Sequence, residues 1–221
     1  EMAKYDTWLV WYWDMETLNW NMLKDFSNYK NDLALSGTVD YIDWIIWKAT
    51  RFQKKWFFYT WNLNWFTLTW SFTVWLWGFI SYQNWYNVYN TLVSKHNRNG
   101  TRDKWFIFRQ YALWGLQSWI WNEMTYSVFS YWGTGIFDKF IYFTMIFDDE
   151  NNLLKQYWNW VLVKQQAVSF SPENPIESFI IWNTYASHFW EAMNWLIDEV
   201  RVYNRALSDD EIKALYDLAN K

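Results

Sequence analysis

The stretch FTLTWSFTVWLWGFI, residues 66–80, decides how the rest of the chain is read. It is the most membrane-like window present, but it is short of the roughly 20 mainly apolar residues that a spanning helix needs, and it is rich in Thr and Ser. Its parity settles the choice. Phe66, Leu68, Trp70, Phe72, Val74 and Leu76 occupy one side, and Thr67, Thr69, Ser71 and Thr73 the other. Strict alternation of this kind marks a half-buried strand.

Similar short runs recur at 8–12, 91–94, 124–130, 140–147, 153–158, 161–164, 179–182 and 196–203. Polar clusters separate them: SNYKND (27–32), KHNRNGTRDK (95–104), DDENN (148–152) and SPENP (171–175). Many short strands punctuated by turn residues predict an antiparallel sandwich or barrel. The C-terminus differs. Ser208 can cap a helix whose third residue, Glu211, returns the bond, and Ile212, Leu215, Leu218 and Ala219 then share one face. A strand therefore hands over to a short closing helix, and the acidic run 209–211 suits that helix's positive end.

Composition bounds the function. The 221 residues suit a single domain, 1–221, and 23 Trp, 16 Tyr and 17 Phe supply a large core. A net charge of -4 without any basic run excludes an electrostatic footprint for nucleic acid. The absence of cysteine removes disulfides and thiolate chemistry and leaves the compartment open. The first six residues are polar, unlike a signal peptide, and Asn99-Gly100-Thr101 is a formal glycosylation sequon. Glycine is scarce: usage of ~7% would give about 15, against the 6 present.

The segment NWLIDEVRVYNRALSDDEIKALYDLA (194–219) closely resembles the closing signature of laminin-G-like jelly-roll domains in the concanavalin A-like lectin and glucanase superfamily. LKDFSNYKNDLALSG (23–37), KATRF (48–52), TLVSKH (91–96) and YWNWVLV (157–163) agree in order, so the resemblance covers nearly the whole chain. It implies an all-β, antiparallel two-sheet jelly-roll sandwich with a short C-terminal helix.

The departures are systematic. Domains similar to this one usually carry glycine where Trp8, Trp11, Trp20, Trp47, Trp70, Trp160, Trp182 and Trp195 stand, whereas Trp13 falls on a family aromatic. Turn chemistry points the same way, because Asn-Gly is the strongest short hairpin signal and this chain has one such pair against five Asn-Trp pairs. At the tip of YWNWVLV a left-handed Trp160 would be a steric outlier. Three readings remain: the tryptophans pack in turns of other geometry, they form a sugar-stacking surface, or the chain departs at these positions from a natural sequence by redesign or misassignment, the reading we favour. An intact mass of 27.5 kDa would exclude misassignment.

For chemistry, the Glu-x-Asp-x-x-Glu strand of related glucanases is absent, so no catalytic residue is assigned. Asp14 with Glu16, and Asp148-Asp149-Glu150, read as turns or ion sites. His96 and His188 have no second imidazole at metal spacing. The resemblance implies a calcium ion held by Asp25 and Asn28 of an early loop and by Asp198 of the closing strand, oxygen ligands that suit a hard cation. The alternative is that Asp25 and Asn28 stabilise a turn and Asp198 pairs with Arg201 or caps a backbone N–H. A sugar needs an aromatic face beside polar groups, which selects Trp75 and Trp77, both opposite the apolar stripe, with Tyr111 from another strand-like run. The alternative for each ring is a second buried layer. The expected function is a non-catalytic recognition module, secreted or displayed on a cell surface, that binds a polysaccharide or glycan. A structural or adhesive subunit that associates with copies of itself is the first alternative, and a glycoside hydrolase the second.

Overall fold

The computed structural model describes residues 8–43, 48–52, 57–60, 70–79, 89–97, 104–111, 115–121, 126–132, 138–170, 179–181 and 195–220. Within them, sixteen strands and one helix form two sheets that face each other. The front sheet runs β14 (Val161–Ala167), β13 (Leu153–Trp158), β12 (Phe140–Asp148), β7 (Phe72–Phe79), β16 (Trp195–Tyr203). Beyond β16 it forks. One half of β16 pairs with β1 (Leu9–Asn19) through Val200 to Tyr203, and the other half with β5 (Lys48–Phe52) through Trp195 to Ile197; β4 (Asp40–Asp43) flanks β5.

The fork exists because β1 changes sheet. Trp13 is the last residue in register with β16, Leu18 and Asn19 pair instead with β2 (Met22–Asp25), and Met15 between them has φ 57. Such a bend re-aims a strand from one sheet to the next. From β2 the facing sheet continues through β3 (Leu33–Ser36), β6 (Phe57–Thr60), β15 (Phe179–Ile181), β8 (Tyr89–Asn97), β9 (Lys104–Tyr111), β10 (Gly115–Trp121) and β11 (Tyr126–Trp132). Every pairing is antiparallel.

The core lies between the sheets. Phe72 meets Phe106 at 4.9 Å, Phe108 meets Phe143 edge-on at 6.5 Å, and Trp11 meets Phe179 at 4.9 Å. Each buried ring of this size contributes about 1.5–3 kcal/mol. One polar link crosses the same space, where Gln156 Nε2 donates to Ser118 Oγ at 2.7 Å.

The expected alternation holds along β7. Phe72, Val74 and Leu76 enter the inter-sheet core, and Trp75 and Trp77 point the other way, Trp75 under helix α1 (Asp209–Ala219). That helix begins as predicted: Ser208 Oγ accepts from Glu211 N, and Glu211 Oε2 accepts from Ser208 N at 2.9 Å. Ile212 and Leu215 then bury against Trp75, Ile146, Tyr157 and Tyr203. Residues 66–69 and 80 of the opening stretch lie outside the described residues. The polar cluster at 95–104 is partly strand, since β8 reaches Asn97 and β9 starts at Lys104.

The suspect tryptophans divide. Trp11 is 3% exposed and packs in the core with Trp13, whose Nε1 donates to the Asn31 carbonyl at 3.1 Å. Trp8, Trp20, Trp70 and Trp160 are exposed, Trp20 at 94%. At the β1–β2 tip, Trp20 and Asn21 are both left-handed, with φ 51 and 68, the conformation that glycine favours. At the β13–β14 tip the reading of Trp160 is corrected: Asn159 takes the positive φ, 56, and Trp160 does not. Asn tolerates that region through its short polar side chain. Trp47 and Trp182 lie outside the described residues, as does the side chain of Trp195.

Candidate functional site

The fork in the front sheet leaves a row of side chains on its outer face. Registers place Asp198 of β16 opposite Trp77 of β7, and Trp77 opposite Tyr142 of β12; the Asp14–Glu16 bend of β1 departs on the other side of β16. Directly opposed residues on one face stand about 4.5–5.5 Å apart at Cβ. Trp77 stacks on Phe140 with ring centroids 4.3 Å apart, and Phe140 also meets Phe79 at 5.1 Å. All three rings are half-buried and make an aromatic ledge beyond the end of α1, where Tyr142 Oη donates to the Ala219 carbonyl.

Carboxylates gather beside this ledge. The bulge in β16 gives Glu199 a φ of 53, and its side chain accepts from Tyr12 Oη at 2.7 Å and from Arg201 Nη2 at 2.6 Å. Burial disfavours the Arg201 charge, but Glu199, Tyr203 and Tyr12 outweigh it and hold the guanidinium protonated. Arg201 in turn lies over the rings of Tyr12, at 4.4 Å, and Trp75, at 5.3 Å. Asp14 spends its oxygens on a local turn, accepting from Glu16 N, Thr17 N and Thr17 Oγ1.

Asp198 is the odd member. It is 2% exposed, and among the described residues its Oδ1 accepts from the next residue's N–H at 2.8 Å while its Oδ2 is enclosed without a hydrogen-bond partner. Burial, reinforced by Glu199, Glu16 and Asp14, pushes its carboxyl up to about 9. Burial and the same two acids of β1 push the Tyr41 hydroxyl up to about 12. Among the described residues, the carboxylates of Asp14, Glu16 and Glu199 share this corner with the protonated Asp198 and the Arg201 guanidinium.

The expected sugar-binding aromatics separate. Trp75 and Trp77 share a face, as alternation requires, but Trp75 is fully enclosed between Tyr142, stacked at 4.9 Å, and Arg201. Tyr111 ends β9 in the facing sheet, in register with Tyr89 and Gly115, and its side chain lies outside the described residues. Reading along the chain missed Phe79, Phe140 and Glu199, and took Asp14 with Glu16 for a turn or ion site. The parity of 66–80 pointed to Phe79, but nothing local indicated that Phe140 would meet it.

The expected calcium ligands have different surroundings. Asp25 is fully buried, and its two oxygens accept four hydrogen bonds from its own neighbourhood: Tyr12 N and Ser27 N on Oδ1, Ser27 Oγ and Asn31 N on Oδ2. A carboxylate saturated in this way builds a turn. Asn28 is exposed, and the acids acting on Asp198 are Glu199, Glu16 and Asp14. Among the described residues no group of three His, Cys, Asp or Glu is arranged to hold a metal ion. Asp25, Asn28 and Asp198 therefore do not fit a calcium ion as one set. Asp148 likewise shapes its turn, accepting from Asn151 and Lys155, whereas His188 and the His96 side chain lie outside the described residues.

Neither a family model nor a curated protein matches the chain. Solved structures do. The binding domain of botulinum neurotoxin serotype D superposes with a TM-score of 0.76 at 15% identity, over 99% of this chain and 52% of that one. The binding domain of Paraclostridial Mosquitocidal Protein 1 gives 0.73 at 13% identity, over 96% and 52%. The binding domain of botulinum neurotoxin DC, solved in complex with SialylT, gives 0.71 at 13% identity, again over 96% and 52%. What is shared is the fold. It is an all-β sandwich with one short C-terminal helix, and this chain spans about half the length of those chains. No helix among the described residues is long and apolar enough to cross a membrane.

Proposed function

We propose that this sandwich is a non-catalytic recognition module that holds carbohydrate on the ledge of Trp77, Phe79 and Phe140. The observation that carries the reading is a half-exposed, pre-stacked indole whose register partner on the next strand is Asp198, with the Glu199 carboxylate following it. An aromatic face takes the apolar side of a sugar ring, and acidic oxygens accept from its hydroxyls. Trp77 is the ring assigned to the sugar, with Trp75 supporting Arg201 below it. Similar folds that are binding domains, one solved with SialylT, agree with the reading and with a secreted or surface-displayed setting.

Hydrolysis is disfavoured by the same geometry. Asp198 has the raised affinity for protons that a general acid needs, but its carboxyl is sealed from solvent and from any glycosidic oxygen, and Glu199 is tied to Tyr12 and Arg201. Calcium enters this reading through Asp198 alone, since Asp25 is saturated. If it binds, removal of calcium with EDTA lowers the melting temperature and Asp198→Asn abolishes the difference.

A glycan array tests the function. Binding that is lost in Trp77→Ala, with an unchanged melting temperature, is the expected result. No bound glycan, together with concentration-dependent association in sedimentation, would instead favour a self-assembling structural subunit.

A further inference from the structure

Trp8, Trp20, Trp70 and Trp160 are the exposed tryptophans among the described residues, at 49%, 94%, 71% and 45%. All four stand where domains of similar sequence carry glycine. The tryptophans outside that set behave differently: Trp13 and Trp75 are fully buried, and Trp77, Trp119 and Trp158 are half-buried. Exposure owes nothing to sequence likeness, yet both select the same four rings. Trp11 also stands at a glycine position, but it is buried against Trp13 and Phe179, so exposure does not select it.

The backbone beneath these rings points the same way. Asn19 pairs with Met22, which leaves Trp20 and Asn21 as a two-residue hairpin loop, left-handed at both positions with φ 51 and 68. A type I′ turn has this geometry, and it takes Gly, Asn or Asp. An indole is a steric misfit there, and in solvent it gains no burial to offset the strain. At the β13–β14 hairpin Trp158 pairs with Val161, so Asn159 and Trp160 form the loop, with Asn159 left-handed at φ 56. Asn followed by glycine is the pair that completes such a turn, whereas Trp160 stays out of the left-handed region. Trp8 and Trp70 occupy the turn and the bend that lead into β1 and β7.

We infer that the protein made in its own cell carries glycine at positions 8, 20, 70 and 160, so that these strand ends offer no aromatic surface to a ligand. A single codon accounts for the exchange, since UGA is read as tryptophan in some genetic codes and as glycine in others. Carbohydrate stacking then falls to Trp77, which Phe140 already holds at 4.3 Å. That last step rests on the carbohydrate reading; the four glycine positions do not.

The gene and the protein from its source organism test the inference. The expected codons are UGA at positions 8, 20, 70 and 160 and UGG at Trp77, and peptide mass spectrometry of the protein isolated from that organism should read glycine at the four positions. UGG codons there, or tryptophan in those peptides, overturn it. A chain combining Trp8→Gly, Trp20→Gly, Trp70→Gly and Trp160→Gly gives a second readout: it should melt higher than the parent and keep the same glycan-array profile. A lower melting temperature, or a profile lost with these four rings, would show that they pack or bind and overturns it as well. An empty array from both chains, with glycine in the peptides, removes the carbohydrate reading and leaves the glycine positions standing.

Discussion

Trp20 holds a left-handed backbone at a hairpin tip with 94% of its surface in water. A bulky residue costs about 1–2 kcal/mol in that region, which glycine avoids at some loss of unfolded-state entropy. Trp20→Gly should therefore raise stability by about 1 kcal/mol, or about 2–4 °C in melting temperature for a domain of this size. Differential scanning calorimetry of the pair decides it, and an unchanged or lower value would show that the strain is relieved elsewhere. Asp198 offers a second test with a defined sign. Its folded-state affinity for protons lies above the unfolded value, about 9 against 3.8, so the folded chain keeps a proton that the unfolded chain has lost, and stability falls as pH rises between those values. Asp198→Asn has no such slope. It should melt higher than the parent near pH 8, and the gap should close towards pH 4.

Among the elements, α1 is held by the burial of Ile212 and Leu215 and by its capped first turn. Glu211 closes the capping box on Ser208 and forms a two-pronged pair with Arg205, at 2.6 and 2.7 Å. The Arg205 hydrogen bonds, against some burial, lower its carboxyl to about 2. A depressed carboxyl contributes stability above its unfolded value of 4.5 and loses it as pH falls towards 2. Glu211→Gln should cost about 1 kcal/mol at pH 7 and nothing near pH 2, as read by chemical denaturation at the two pH values. The capped helix was legible from Ser208 to Ala219 because its signals are local: a cap, its reciprocal glutamate and a 3.6-residue stripe. The β13–β14 hairpin was legible as a hairpin but not in its detail. The turn gave its left-handed position to Asn159 because an amide side chain fits where an indole does not.

Across the whole molecule, stability rests on the aromatic layer between the sheets. Phe143 is fully buried on β12 and meets Phe108 of the facing sheet, so Phe143→Ala should cost about 3–5 kcal/mol, measured as a lowered denaturation midpoint at unchanged slope. A much smaller loss would mean that the sheets close over the gap.

Alternation along 66–80 and its counterparts was enough to require strands with one apolar side, and the cap at Ser208 was enough to require a closing helix, because both depend on residues within a few positions of one another. Which strands would be neighbours depended on contacts between residues far apart in the chain, and only the folded chain decided them. It sent β1 from one sheet to the other at Met15, opened the fork beside β16, and so placed Asp14 and Glu16 near Asp198, and Phe140 against Trp77. The same packing assigned Trp75 to the interior and Trp77 to the surface, although the two are indistinguishable by parity. Helix α1 covers one and stops short of the other.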